Sequence, residues 1–554
     1  MIDNSGTISS GSGTAIYNRG GVLTVTNEQS GTINGDINLT GDGSGSGSVN
    51  NYGRLNLGTT LAAALVSNQG TLDVGGASAA GARTEITGDL TQGSSGRIVI
   101  DSDHVAGVSD RLTVDGNAQL AGAIQMRPSR LSPTTVQVLD VKGSLDASQL
   151  QSADPLLVHY QLATGGTKAA DGSAQQSIFV TPQARFDSTA SGLGKNAQTV
   201  ADNLQANFNA GSGALGVPLA QLANNVQDVV TYKAALTSMG NEVQQAVGTS
   251  RLAASHAFVE RMNSCPTFDQ PQSTDMKERD CAWGRVIDNR TTATGSQHAD
   301  YSAGTYSVQV GGQRQIADGW FLGGSAAYDN ESFNSSSGAG SVEGDGGALG
   351  VVLKREIGNW TVSGAADFGY GRYDTARNIA FPGFAAQATG AFNLTEAGLH
   401  SRIAYLIPLE TWYVKPYLDL HVVHMHSSSY SEQGAGPLGL NVNGNGETVF
   451  SAAPMVEVGG RVDLDNGMTM RPYAALGGTF QDKGAWGGTA QFEGAAPGVQ
   501  GFSTAGSVPR SLANVHVGVN LLVKKSLELR AEYGGQYASG YRSSEGNFRV
   551  NYLF

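Results

Sequence analysis

Few residues in this 554-residue sequence are arranged to do chemistry. His421, His424 and His426 form an H-x-x-H-x-H run. Zinc would need about four convergent ligands. On a strand His424 and His426 share one face and His421 takes the other, so the run reads as loop-edge or interfacial histidines. Asp101, Asp103 and His104 form a second polar cluster. A surface turn is the plain reading of it, with calcium binding or catalysis the sharper one. The glycine-rich "GDGSGSGS" at 41–48 is followed by neither Lys-Ser/Thr nor a helix, so it is no phosphate cradle. There is no G-x-S-x-G and no H-E-x-x-H, and no nucleophile–base set stands out. No catalytic residue, metal or cofactor is therefore expected, and the chain is not expected to be an enzyme. Cys265 and Cys281, 16 apart, suit one disulfide in an oxidising compartment; two free thiols are the alternative.

Composition narrows the elements that must carry these residues. Charged residues are 15% and apolar ones 40%, which excludes a disordered acidic polymer. Glycine reaches 77 residues against 15 prolines without a Gly-X-Y period, which favours glycine-turned β architectures over collagen. A net charge of −13 argues against a nucleic-acid partner, since phosphate binding needs a basic face. No segment approaches 18 uninterrupted apolar residues, so a helical membrane span is excluded and a β-barrel is left as the way across a bilayer. Met1-Ile2-Asp3-Asn4 has no basic or apolar leader character, so the chain is expected to be the C-terminal part of a longer product.

The first 75 residues repeat. "NRGGVLTV" at Asn18, "NYGRLNLG" at Asn51 and "NQGTLDVG" at Asn68 share Asn-x-Gly before a short strand, and 30–41 resembles another rung. Such units bury their apolar faces only on one another, so 1–83 is expected to be a right-handed parallel β-helix. The Asn-x-Gly corners are expected to supply positive φ angles. Residues 84–183 remain β-like but less regular and are expected to cap the solenoid edge. Residues 184–216 turn polar and read as linker. From 217 the period becomes helical, with Leu219, Leu222, Val226, Val229 and Val230 in phase and a break at Gly240. Residues 241–262 make a helix of roughly 30 Å, about one hydrocarbon thickness, too polar to face lipid. Such a helix belongs inside a wet lumen.

Beyond Cys281 the period is two. Trp412, Val414, Leu418, Leu420 and Val422 alternate with Lys415, Asp419 and His421; Leu527, Leu529, Ala531 and Tyr533 alternate with Glu528, Arg530 and Glu532. The segments run roughly 10–15 residues, long for soluble strands. Trp283, Trp320, Trp360, Trp412 and Tyr413 lie near their ends, as interfacial girdles do. Short turns at 317–319, 358–359 and 466–467 alternate with long loops at 331–342, 374–386, 427–447 and 482–508. Twelve segments between 282 and 554 give the even count a closed bacterial barrel requires.

This layout resembles the monomeric type Va autotransporters with a pertactin-like or AIDA-like passenger end. Residues that carry the resemblance are "CAWGRV" at the first strand, "GGQRQIADGWFLGGSAAY" on the next two, "LKREIGNWTVSGA", and the terminal "GNFRVNYLF". The resemblance implies that Phe548, Val550, Tyr552 and Phe554 form the signal read by the barrel-assembly machinery. It likens "SGRIVIDSDHVAGVSDRLTVDGNAQLAG" to an autochaperone region that folds first outside the cell. Some relatives cut their passenger beside an Asn pair within the luminal helix. Here Asn224-Asn225 lies 58 residues before Trp283, too far for that position.

The resulting expectation is an all-β chain: a β-helical stem (1–83), an autochaperone-like cap (84–183), a linker and luminal α-helix (184–262), and a 12-stranded antiparallel transmembrane β-barrel (263–554). It would export and anchor its own passenger, an adhesin or virulence factor, as a monomer in the outer membrane. Lipid, the assembly machinery, periplasmic chaperones and an unknown host surface ligand would be its partners. Arg251, Arg261 and Glu260 on the helix, with Glu528, Arg530 and Glu532 on the barrel, are the candidates for charge pairs that seal the lumen, since a charge in a narrow pore needs a partner. The alternatives are a passive outer-membrane channel, which needs neither stem nor luminal helix, and a soluble solenoid adhesin.

Overall fold

The protein is described from a computed structural model covering residues 1–554 apart from 42–44, 77, 170, 264, 270–272, 296–299, 466, 508 and 525. Part of the 41–48 glycine run and Asn466 of the 466–467 turn therefore lie outside the described residues.

The N-terminal third is a β-solenoid of short parallel strands. Gly21–Asn27 pairs with Gly45–Asn51, which pairs with Leu65–Asn68, which pairs with Asp89–Gln92. Val25, Val49, Val66 and Leu90 stack inside and are buried. Beside them runs an amide ladder. Asn4 donates to Asn27 (2.8 Å), Asn27 to Asn51 (2.8 Å), Asn51 to Asn68 (2.7 Å) and Asn68 to Gln92 (2.9 Å). A side-chain amide both donates and accepts, so a stack of them satisfies buried polarity coil after coil.

The role expected of the Asn-x-Gly corners needs correcting. Gly53 and Gly70 do not adopt positive φ. Close approach requires them instead: a Cβ on either would lie 2.2 Å from a carbonyl oxygen of the coil below. Asn18 is not on the ladder and bonds backbone carbonyls of Gly21 and Leu39. Parallel stacking also continues past residue 83, through Arg97–Asp103 on Ala118–Arg130 and on to Leu145–Ser152. The edge is then covered by an antiparallel hairpin, Val158–Lys168 with Ala174–Ala184, the latter laid antiparallel on Val136–Val141.

Four helices follow: α1 (Lys195–Asn209), α2 (Gly216–Asn225), α3 (Val229–Met239) and α4 (Glu242–Met262). The linker expected at 184–216 thus contains a helix. Ala197, Val200, Ala201, Leu204 and Phe208 of α1 are buried at helical spacing. Asp228 caps α3 by accepting from the Thr231 amide.

The C-terminal half is a closed antiparallel barrel of twelve long strands. These are β1 (Cys281–Ala293), β2 (Tyr301–Ala317), β3 (Trp320–Ser335), β4 (Gly340–Ile357), β5 (Trp360–Phe381), β6 (Phe384–Tyr405), β7 (Trp412–Ser427), β8 (Asn445–Gly460), β9 (Thr469–Gln481), β10 (Ser511–Lys524), β11 (Leu527–Ala538) and β12 (Tyr541–Leu553). Closure runs from Cys281 opposite Leu553 to Ala293 opposite Tyr541.

Apolar side chains such as Leu349, Val351, Leu399 and Leu476 point outward and are exposed, which a lipid solvent permits and water penalises. The loop expected at 374–386 is instead a tall ribbon, because β5 and β6 pair out to Phe381 opposite Phe384. Within 427–447 and 482–508 the chain forms a small sheet, Tyr430–Ser431, Leu440–Val442, Ala485–Phe492 and Phe502–Ser507. One apolar core runs from the solenoid through α1–α3 to Ile379, Phe381, Leu440 and Phe492 at this end of the barrel. The stem is thereby docked on the barrel rim.

Candidate functional site: the barrel lumen and its helix

Helix α4 runs inside the barrel. Its sequence is neither amphipathic nor apolar, and a lumen lined by alternating polar residues is the environment that satisfies it. Arg251 sits at mid-helix with 1% of its side chain exposed. Its guanidinium grips Glu396 with two hydrogen bonds (Nη2–Oε1 2.8 Å, Nε–Oε2 3.1 Å). Nη1 reaches Asp329 at 3.0 Å and Glu331 at 3.3 Å. Tyr373 donates to the other oxygen of Glu331 at 2.8 Å. One turn on, Ser255 donates to Asp367, whose Oδ1 lies 2.5 Å from His400 Nε2.

His400 and His421 approach to 2.7 Å through their Nδ1 atoms, and His256 of α4 stacks on His421 with centroids 4.2 Å apart. Near the helix end Arg261 pairs with Glu545 at 2.5 Å, and Glu260 lies 3.6 Å from Arg402.

Apolar contacts fill the rest. Val243 and Val247 pack among Phe333, Tyr373 and Phe392; Leu252 against Val423 and Trp486; Phe258 and Met262 against Ala348 and Val352. Gly248 lies so close to Trp486 that a Cβ there would sit 2.5 Å from the indole. After α4, the Cys265–Cys281 disulfide, Cα atoms 6.3 Å apart, joins the segment leaving the helix to the first residue of β1. At the other end Arg377 binds Glu432 and the α3 carbonyls of Ser238 and Met239, both 3.1 Å away.

The autotransporter beta-domain family model matches residues 282–534. This barrel is an autotransporter β-domain. Such a domain sits in the outer membrane with its passenger at the cell surface. The chain is 24% identical over 287 residues to an extracellular serine protease of Serratia marcescens, and the match covers 51% of this chain but 27% of that protein's length. Among solved structures, the translocator domain of the autotransporter NalP from Neisseria meningitidis is similar at 12% identity and TM-score 0.45, over 57% of this chain and all of that one. The beta domain of the Bordetella autotransporter Brka is similar at 19% identity and TM-score 0.37, over 50% and 100% of the chains.

Within the autotransporter lumen several sequence expectations change. Glu528, Arg530 and Glu532 do not meet the helix. Glu528 pairs with Arg549 on the neighbouring strand and Glu532 with Arg530 two residues away on its own strand, because both partners are nearer than the helix across the lumen. The carboxylates that receive Arg251 are Asp329, Glu331 and Glu396, which the sequence reading missed. Their signal was present: Asp329 and Glu331 lie two apart on one face of β3, and Glu396 and His400 lie four apart on β6.

His421 is luminal, not interfacial, while His424 and His426 are exposed. Trp283 and Tyr413 also face inward, Trp283 beside the disulfide and Tyr413 donating to Glu457; Trp320, Trp360 and Trp412 remain outside. Phe548, Val550, Tyr552 and Phe554 are all exposed on the outer face of the closing strand or at its end. Asn224 lies outside the lumen, its amide donating to Pro128 of the solenoid at 3.0 Å. Asp101 and Asp103 bind Arg127 and Arg130 rather than forming a catalytic set.

Proposed function

We propose that this β-domain exports the solenoid ahead of it and then remains as its closed outer-membrane anchor. One observation carries the reading: α4 threads the lumen and is fixed to the wall through Arg251 by three buried carboxylates. A passive channel has no use for a charge-locked helix across its bore, whereas a translocator that has finished needs a seal. Docking of the stem on the barrel rim through α1–α3 fits the same end state. The position of Asn224, outside the lumen, supports a passenger that stays attached. Folding of the cap, residues 84–183, outside the cell is the drive, as no nucleotide energy reaches that side.

The outward Phe548, Val550, Tyr552 and Phe554 would be read by the barrel-assembly machinery, after escort by periplasmic chaperones, and the product would be a monomer in lipid. The chain acts by transport and display, not catalysis; adhesion to a host surface ligand is the role assigned to its passenger. In cells expressing the natural gene, external protease should digest the solenoid while heat-modifiable barrel is retained. Deletion of 541–554 should abolish both signals. A surface-exposed solenoid in cells lacking an inserted barrel would overturn the proposal.

A further inference from the structure

Helix α4 packs against the β3–β6 side of the barrel and leaves a cavity of about 190 Å³ against the opposite wall. Its lining mixes carboxylates with cations, among the latter Arg402, Lys415, Arg471 and Arg530. The bordering carboxylates are already engaged. Asp419 holds Arg402 at 2.5 Å, Glu457 holds Lys415 at 3.0 Å, Glu532 holds Arg530, and Glu545 holds Arg261 at 2.5 Å. Asp329 and Glu396 are taken by Arg251.

Arg471 is different. It is 7% exposed, and among the described residues no carboxylate comes within ion-pairing distance of it. Nη1 meets the Met276 thioether at 2.8 Å and the guanidinium lies 5.3 Å from the Tyr473 ring centroid. Its buried Nε finds no hydrogen-bond partner among the described residues. A buried guanidinium with an unsatisfied N–H and no carboxylate in direct contact is costly, and an anion bonded to it would relieve that cost.

We propose that this luminal cavity is an anion site, taking a small tetrahedral oxyanion such as phosphate or sulfate on the Arg471 guanidinium. The planar fork of arginine matches two oxygens of such an ion. The site is independent of whether the barrel exports its own passenger.

The test uses the full chain in detergent, with selenate as a sulfate mimic that scatters anomalously. Crystals soaked in sodium selenate should show an anomalous peak within hydrogen-bonding distance of Arg471. In R471M, checked for folding by heat-modifiable mobility, selenate affinity should fall roughly tenfold or more, as loss of a charge-assisted contact implies. No peak in the wild-type lumen overturns the proposal, and so does a peak that persists undiminished in R471M. If R471M does not fold, the wild-type soak decides alone.

Discussion

Replacing Arg251 by Met tests the luminal lock directly. The wild-type side chain places one positive charge among Asp329, Glu331 and Glu396, of which Glu331 and Glu396 are fully buried. R251M leaves three carboxylates facing one another with no counter-charge. Breaking a buried pair by removing one partner costs about 3–5 kcal/mol. At about 1.4 kcal/mol per decade, the helix-out population should rise roughly a hundredfold to a few thousandfold.

The helix should nonetheless remain mostly in place. Val243, Val247, Leu252, Phe258, Val259 and Met262 keep their wall contacts, and burial of each such side chain contributes about 1.5–3 kcal/mol. The phenotype is therefore brief openings rather than a permanently open pore. Single-channel recording in planar bilayers should show rare full-size events in R251M and almost none in the wild type. R251K keeps the charge without the two-pronged grip on Glu396 and should fall between them. Adding E396Q and E331Q to R251M should restore quiet traces, since the uncompensated charge is then largely gone. If R251M folds and its traces match the wild type, the charge pairs do not hold the helix and the argument fails.

Three further outcomes follow from packing and titration. G70A should destabilise the solenoid by about 2 kcal/mol or more, since its Cβ would lie 2.2 Å from the Gly53 carbonyl oxygen and overpacked backbone cannot give way cheaply; thermal unfolding of the stem measures it. Burial holds the His104 imidazole below its ordinary value of 6.5, with Nδ1 on the Thr134 carbonyl at 2.8 Å. The unfolded chain then binds more protons than the folded one as pH falls below 6.5, so proteolytic resistance of the stem should weaken between pH 6.5 and 5, and less so in H104F. F554S should lower the amount of heat-modifiable barrel in outer membranes severalfold while leaving total synthesis unchanged; equal barrel levels would remove the terminal residue from the assembly signal.

Much of the architecture was legible because it rests on short-range periodicity. A period of two over long segments, an even count and the absence of an apolar helix lead to a closed barrel. Repeated Asn-x-Gly units lead to a solenoid, and the polar period from 241 to 262 places a helix where water or polar wall must surround it. The helix α1 was hidden because its five buried apolar positions are spread among Asn, Gln and Asp. Its phase was readable, but its polarity matched a linker.

What the linear chain determined about this protein is which face each barrel residue takes, since a pleated strand fixes that locally. It could not determine which luminal residues meet. Arg251 reaches Glu396 across 145 positions, while Glu532 and Arg530, equally charged and equally inward, turn to each other. That choice depends on the side of the bore against which α4 lies. The stagger of closure and the shape of small residues such as Gly248 beneath Trp486 govern it, and these are properties of the closed cylinder rather than of any segment.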